Sequence, residues 1–235
     1  MEQRSVLSPG SAGPRRLTAE EVAGRLAAAP LAAASAGAAL GGPRLSRDAN
    51  APAEGRGDHD LNPGFYPERA LVPAAVLIPL VAHASGLNIL LTLRTLHLAD
   101  HAGQIAFPGG RVDPGDADEC AAALREAQEE VGLDPALVRI LGRLDTYVTR
   151  TGFRVEPIIG LLQPPLSLRP DPHEVAEIFE VPLDFLIDPA NRRRESRVFE
   201  GSERFYWAIP WQNRYIWGAT AGMLVNLADV LRGPA

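Results

Sequence analysis

The sequence predicts an α/β protein of the α+β kind, in which a mixed β-sheet is sandwiched between helices. From about residue 72 onward, apolar runs rich in Val, Ile and Leu alternate with turn-forming clusters, which is typical of strands. Two longer segments favour helices, and they do not follow every strand in turn. A repeating βαβ arrangement is therefore not expected.

The elements can be assigned in chain order. The runs VPAAVLIPLVA and NILLTLR flank the turn-forming HASGLN and predict a β-hairpin. A short strand over 104–107, a glycine-rich loop and a helix over 117–131 ending at Gly132 should follow. The remaining predictions are strands in VRILGRLDTYVT and FRVEPIIGLLQ, a short helix in VPLDFLID, a hairpin in SRVFEG and ERFYWAIP, and a closing helix in IWGATAGMLVNLADVLRG.

Composition divides the chain near residue 60. The segment 1–60 is rich in Ala, Gly and Pro and has little bulky apolar surface, so we expect a partly helical or flexible extension. Within it, Thr18 and Glu21 have the spacing of a capping box, which predicts a helix over 19–28 with Val22 and Leu26 on one face. Residues 61–235 are expected to form the main domain.

The charge balance and the apolar runs exclude several partners. The chain has 29 acidic and 23 basic residues, whereas nucleic-acid binders usually carry a basic patch or stripe. The most apolar run, residues 70–82, is too short to span a bilayer, and the segment after Arg15 and Arg16 lacks the apolar core of an export signal. The single cysteine cannot form an intrachain disulfide. We expect a cytoplasmic protein with neither nucleic-acid nor membrane partners.

The helix over 117–131 carries an acidic face. At about 100° per residue, Glu126, Glu129 and Glu130 lie within an arc of roughly 100°. An ordinary solvated face with a salt bridge from Arg125 is one interpretation. The upstream Pro-Gly-Gly turn favours another, because glycines let the backbone approach a ligand, and clustered carboxylates suit Mg²⁺ or Mn²⁺ bridged to substrate phosphates.

The segment from Gly110 to Leu133 resembles the Nudix box, whose pattern is Gly, five residues, Glu, seven residues, and Arg-Glu-apolar-x-Glu-Glu-x-Gly-apolar. Residues 125–133, REAQEEVGL, match its second half in full. The first half has one residue more than the pattern. Counting back from Arg125 places Ala117 at the first glutamate, and counting forward from Gly110 places Asp116 there. The resemblance implies a Nudix fold.

The stretch before the box resembles the signature of Nudix hydrolases that act on coenzyme A, which is Leu-Leu-Thr-x-Arg followed by Gly-x-x-x-Phe-Pro-Gly-Gly. Residues 90–110 read LLTLRTLHLADHAGQIAFPGG. Thr95 stands where serine or alanine is usual, and Ala99 where a second arginine is usual. The matching positions are Thr92, Arg94, Gly103, Phe107, Pro108, Gly109 and Gly110.

These resemblances imply metal-dependent hydrolysis of the pyrophosphate bond of coenzyme A or its acyl derivatives, giving 3′,5′-ADP and 4′-phosphopantetheine or its acyl form. The implied cofactor is Mg²⁺ or Mn²⁺, because a divalent ion neutralises the pyrophosphate and acidifies bound water. Arg125 should orient the glutamates through charge-assisted hydrogen bonds. The implied metal ligands are Glu126, Glu130 and Glu129, and the implied substrate contacts are Arg94, Thr92, Gly109 and Gly110.

Several alternatives stay open. A broader pyrophosphatase acting on ADP-ribose or NADH is favoured by Ala99, and a nucleotide-binding regulatory module without catalysis is disfavoured by the intact glutamates. The general base is either Glu174 or Glu177, both expected in a loop or turn, unless they are exposed salt-bridge partners. The aromatic residues over 205–217 would line a nucleotide pocket, the core or a homodimer interface.

Overall fold

The predicted mixed sheet between helices is confirmed in a computed structural model, which describes residues 16–29, 55–64, 66–67, 70–98, 101–199 and 201–232. The alanine-rich stretch 30–54 lies outside the described residues, and so does Ala99. Within the described ranges, no helix is long and apolar enough to cross a membrane.

Four α-helices and twelve strands make up the regular structure of the described residues. The helices are α1 (Ala19–Ala28), α2 (Glu119–Val131), α3 (Leu183–Ile187) and α4 (Gly218–Arg232). The strands are β1 (Arg56–Gly57), β2 (Val72–His83), β3 (Gly86–Arg94), β4 (Ile105–Ala106), β5 (Gly109–Arg111), β6 (Arg139–Arg143), β7 (Tyr147–Val148), β8 (Phe153–Leu162), β9 (Val175–Pro182), β10 (Arg193–Phe199), β11 (Ser202–Trp211) and β12 (Arg214–Trp217).

The first nine strands form one large mixed sheet. Its main path is β1-β7-β8-β2-β3-β4, while β5 pairs with β2, β6 with β8, and β9 with β3. Strand β2 runs parallel to β8 and antiparallel to β3, as the predicted hairpin requires. Strands β10 to β12 form a separate antiparallel sheet that includes the second predicted hairpin.

The large sheet is covered on both faces, because alternate residues of its central strands are apolar on either side. On one face, Leu77, Val81 and Leu90 pack against the small side chains of Ala123 and Ala127 of α2. The opposite face belongs to a larger cluster that combines Ile78, Leu80, Ile89 and Leu91 with residues of α1, α3 and α4. Among the described α-helices, only α2 contributes to this smaller cluster, and its small side chains let it lie close to the strands beneath it.

Helix α1 confirms the prediction made from the capping box. The Thr18 hydroxyl accepts a hydrogen bond from the Glu21 amide at 3.1 Å, and the Glu21 carboxylate accepts one from the Thr18 amide at 2.9 Å. Val22 and Leu26 are buried in the larger core cluster. The domain boundary near residue 60 stays a prediction, but this helix of the N-terminal segment packs on the same core as the sheet.

Residues 55–62 are also attached to the domain. The Asn62 side chain donates to the Phe205 carbonyl and accepts from the Phe205 amide, both at 2.9 Å. The Tyr147 hydroxyl donates to the Asp58 carboxylate at 2.8 Å. These contacts join the segment to β11 on one side and β7 on the other.

Helix α2, the closing helix and the segment around Glu177 differ from the sequence prediction. Helix α2 begins at Glu119 because the Asp118 side chain caps it by accepting from the Ala121 amide at 2.8 Å. The predicted closing helix loses its first two residues, which belong to β12. The prediction of a loop around Glu174 and Glu177 is wrong at Glu177. This residue lies on β9, because it pairs with Leu93 of β3.

Candidate active site

The glycine turn before α2 allows the strand and the helix to approach each other closely. Strand β5 pairs with β2, and a Cβ atom added to Gly110 would lie 2.5 Å from the Glu126 carboxylate. Gly109 has φ +155°, and a Cβ there would lie 2.4 Å from the Ala75 carbonyl oxygen. Gly109 therefore requires glycine because of the backbone, whereas a side chain at position 110 would displace the Glu126 carboxylate.

Arg125 is the centre of a first group of charges, which we call the Arg125 cluster: Arg125, Asp116, Glu126 and Glu129. Its guanidinium donates to both oxygens of Asp116 at 3.0 Å, from Nε and Nη2. Nη1 donates to Glu126 at 2.9 Å and to Glu129 at 3.1 Å. These contacts raise the pKa of Arg125, chiefly through Asp116, and lower that of Asp116. Asp116, rather than Ala117, is the early acid that meets the box arginine.

Arg94 is the centre of a second group, the Arg94 cluster: Arg94, Glu130 and Glu174. Nη1 of Arg94 donates to Oε1 of Glu130 at 3.2 Å, and Nη2 lies 3.6 Å from Oε2 of Glu174. The other oxygen of Glu130 accepts from the Gly109 amide at 3.2 Å. Glu130 is only 3% exposed, which excludes a solvated face at this position.

Thr92 and Thr95 support the Arg94 cluster from β3 and its end. The Thr92 hydroxyl is buried and donates to the Ala106 carbonyl at 3.2 Å, which ties β3 to β4. The Thr95 hydroxyl donates to the His173 carbonyl at 2.9 Å, and its amide donates to the Glu174 carbonyl at 2.9 Å. Thr92 therefore supports the predicted substrate contacts structurally, by joining β3 to β4.

The electrostatics of the two clusters fit a hard divalent cation. Burial raises the pKa of Glu126, and it raises the pKa of Glu130 to about 7, with neighbouring carboxylates adding to both shifts. Burial is the main cause of both pKa shifts, and the hydrogen bonds and charges of the two arginines offset it only in part. In the described part of the chain, no three acidic, histidine or cysteine side chains are already grouped as a metal centre. The carboxylates are turned toward Arg125 and Arg94 instead.

Glu177 is separated from these clusters. It makes a short ion pair with Arg214 of β12, and the Arg214 guanidinium lies 4.3 Å from the Phe179 ring centre. Glu174, by contrast, is at the Arg94 cluster and its side chain is 45% exposed. The structure thus places Glu126 and Glu129 around Arg125, and Glu130 and Glu174 beside Arg94. The alternative base, Glu177, lies elsewhere.

The aromatic residues over 205–217 divide between the two faces of the small sheet. Trp207 and Trp211 pack against the larger core cluster. On the other face, Tyr206 and Trp217 are in edge contact at 5.5 Å, and the Tyr215 hydroxyl donates to Glu195 at 2.5 Å. Part of the group is therefore core, as one of the alternatives proposed.

A site built from a box helix, a glycine turn and clustered glutamates defines a Nudix protein, and the model of the NUDIX domain matches residues 71–200, more than half of the chain. The chain belongs to the Nudix family and is a Nudix hydrolase acting on nucleoside diphosphate derivatives. The resemblance drawn from the sequence is confirmed at this level.

Individual relatives agree with the family. The chain is 41% identical over 155 residues to "Uncharacterized Nudix hydrolase NudL" of Escherichia coli (strain K12), covering 66% of this chain and 80% of the relative. The NudL protein of Shigella boydii serotype 4 gives the same values. A solved Ap4A hydrolase of C. elegans, in a binary complex, is 24% identical with a TM-score of 0.40, covering 47% of this chain and 80% of that one.

Proposed function

We propose that this Nudix hydrolase cleaves the pyrophosphate of coenzyme A or acyl-coenzyme A, giving 3′,5′-ADP and 4′-phosphopantetheine or its acyl form. The supporting observation is that two elements of the coenzyme A signature, Arg94 and Gly109, meet on one carboxylate of the Nudix box, Glu130. The signature and the box are thus parts of a single site. We place Arg94, Gly109 and Gly110 at the substrate phosphates.

The acidic residues of the site have different proposed roles in binding the metal ion. Glu126 and Glu130 would hold Mg²⁺ or Mn²⁺, with Glu129 at the exposed side and the Gly110 carbonyl as a further oxygen donor. When bound, the ion neutralises the pyrophosphate and acidifies water. Arg125 holds Glu126 and Glu129 in place through charge-assisted hydrogen bonds.

Glu174 is the better of the two candidates for the general base. Its carboxylate is exposed to water and lies beside Arg94 at the edge of the buried glutamates. Glu177 is engaged by Arg214 on the other side of β9 and would first have to break that ion pair. A base must reach the attacking water directly or through one further water, and Glu174 is closer to meeting this requirement.

A broader pyrophosphatase acting on ADP-ribose or NADH is the second candidate. It is favoured by Thr95 and Ala99, which depart from the coenzyme A signature. Because Thr95 keeps a structural hydroxyl contact with the 173–174 segment, the departure at that position does not weaken the site. The missing arginine at position 99 is the stronger argument, since it would remove one phosphate contact.

A substrate panel tests the proposal. The purified protein is incubated with Mg²⁺ or Mn²⁺ and with coenzyme A, acetyl-coenzyme A, ADP-ribose, NADH and diadenosine polyphosphates, and products are identified by mass spectrometry. We expect the highest kcat/KM for coenzyme A or its acetyl form, with 3′,5′-ADP released. A higher value for ADP-ribose or NADH would select the second candidate, and cleavage of none of them would contradict both.

A further inference from the structure

Arg94 occupies a position between two acidic groups that come from different parts of the chain. Glu130 lies at the end of α2, and Glu174 lies just before β9. One guanidinium nitrogen faces each carboxylate, at 3.2 Å and 3.6 Å. The planar fork of an arginine suits this arrangement, because its donors diverge in fixed directions.

The third guanidinium nitrogen of Arg94 adds a second observation. Its Nε atom is buried and has no hydrogen-bond partner among the residues that the structure describes. A buried donor without a partner costs free energy, so the side chain is not at its most favourable hydrogen-bonding position. Attraction to the two carboxylates therefore holds the Arg94 guanidinium in place. The guanidinium would move if a stronger cation bound to one of these carboxylates.

A divalent ion and Arg94 would compete for the same oxygens. Glu130 has two carboxylate oxygens, of which one accepts from the Gly109 amide and the other from Arg94. An ion bound at Glu130 needs at least one of them, and the Arg94 contact is the one that a side-chain movement can release. The Gly109 amide belongs to a strand paired with β2 and cannot move as easily.

We propose that Arg94 is a built-in counter-ion, which holds Glu130 and Glu174 together in the cation-free enzyme and is displaced from Glu130 when the metal binds. Arg94 is then a positioning residue that weakens metal binding and keeps the empty site folded. Its release leaves a guanidinium free beside the metal for a substrate phosphate. This last step rests on the proposed function, whereas the competition with the metal does not.

The test is a Mn²⁺ titration of the substrate-free protein, with free Mn²⁺ measured by electron paramagnetic resonance. Arg94→Gln should bind Mn²⁺ about tenfold more tightly than the wild type, in the usual range for coupling between two binding events. Arg214→Gln is the matched control, because Arg214 also pairs with a glutamate, Glu177 of β9. Its Nε is likewise buried and without a partner in the described part of the chain. Its Mn²⁺ affinity should stay within about twofold.

Thermal unfolding gives a readout that is independent of affinity. Without metal, Arg94→Gln should have a lower Tm than the wild type, because a buried carboxylate loses its partner. Saturating Mn²⁺ should raise its Tm by more than it raises that of the wild type. If Arg94→Gln does not fold, Arg94→Lys replaces it, since a lysine keeps the charge but cannot hold both carboxylates, and it should also bind Mn²⁺ more tightly.

The outcomes separate this proposal from the proposed function. Unchanged or weaker Mn²⁺ binding in the Arg94 variants would overturn the counter-ion role, and so would an equal effect of Arg214→Gln. Neither result depends on which substrate is cleaved. Conversely, tighter Mn²⁺ binding without cleavage of coenzyme A would support the counter-ion and leave only the substrate assignment contradicted.

Discussion

The Arg125 cluster and the Arg94 cluster use the same chemistry but are assembled differently. Arg125 meets its acidic partners within residues 116–129, so that one loop and one helix complete the network. Arg94 draws its partners from α2 and from the segment before β9, 36 and 80 residues away in sequence. The first cluster depends on local structure, and the second depends on the packing of the whole sheet.

The two clusters also have different places in the site: the Arg125 cluster forms a scaffold, and the Arg94 cluster forms the reactive edge. The Arg125 cluster fixes the orientation of carboxylates that already share a helix. The Arg94 cluster brings the most deeply buried carboxylate of the two clusters, Glu130, next to the signature residues and the candidate base. We therefore expect changes in the Arg94 cluster to affect the reaction most strongly, and changes in the Arg125 cluster to act through geometry.

The largest effect is expected for Glu130→Gln. Because this carboxylate belongs to both the proposed metal site and the Arg94 cluster, its loss should lower kcat/KM by a factor of about 10³. Glu129→Gln is the matched comparison, since Glu129 is on the same helix but its side chain is 59% exposed, and about a tenfold loss is expected there. Steady-state kinetics on the best substrate of the panel would check both. Equal losses would remove the distinction between the clusters.

Gly110→Ala should have the next largest effect. The new methyl group would lie 2.5 Å from the Glu126 carboxylate and must displace it. A displacement of about 1 Å at a catalytic group costs up to about a hundredfold in rate, and we expect a loss of that order in kcat. Gly115→Ala is the control, because in the described residues no atom beyond its chain neighbours lies within 4 Å of an added Cβ atom. If both variants keep wild-type activity, the close approach has no role in catalysis.

Asp116→Asn tests the local cluster itself. The two hydrogen bonds from Arg125 would lose their charged acceptor, and an orienting partner of this kind is worth about tenfold in activity. Asp113 lies 3.9 Å from the same arginine and is largely exposed, so Asp113→Asn should change kcat/KM by less than about twofold. A larger loss of kcat/KM for Asp113→Asn would mean that these acids act by holding the turn and not by orienting Arg125.

The same pair predicts a pH dependence of stability. Arg125 lowers the pKa of Asp116, so the stabilisation by this carboxylate is present above its unfolded pKa and is lost as the pH falls through the lowered folded value. Urea unfolding of the wild type and of Asp116→Asn should therefore differ at neutral pH, and the difference should shrink in acid. A difference that stays constant down to acidic pH would exclude the ion pair as its source.

The sequence predicted those features that depend on neighbouring residues. The capping box at Thr18 fixes the start of α1, and the left-handed Gly132, with φ 67°, ends α2 where expected. Helical spacing also places Glu126 and Glu129 together around Arg125, whereas Glu130, on the same predicted face, lies beside Arg94. The burial of Glu130 was not predictable in the same way, since it depends on Gly109 and Arg94 arriving from other strands.

The extra residue in the box shows where local prediction ends. Spacing alone left Ala117 and Asp116 equally possible as the early acid. In the structure, the Asp113 amide donates to the Asp116 carboxylate at 2.8 Å, and the Asp116 amide donates to the Asp113 carbonyl at 3.0 Å. This turn presents Asp116 to Arg125. Strand β9 was not predicted for a related reason, because it is defined by pairing with β3, which is distant in the sequence.

The smallest effect is expected for Thr95→Val, which tests how the long-range cluster is held. The substitution keeps the shape but removes the hydroxyl that donates to the His173 carbonyl next to Glu174. Losing one such bond costs about 1 kcal/mol, which corresponds to about fivefold in kcat/KM. Thr95→Ser keeps the hydroxyl and should remain close to the wild type. Thr95→Val could also keep wild-type kcat/KM while Glu174→Gln is impaired. In that case the Arg94 contact alone is sufficient to place Glu174. The cluster would then depend on its charges rather than on the strand end that carries them.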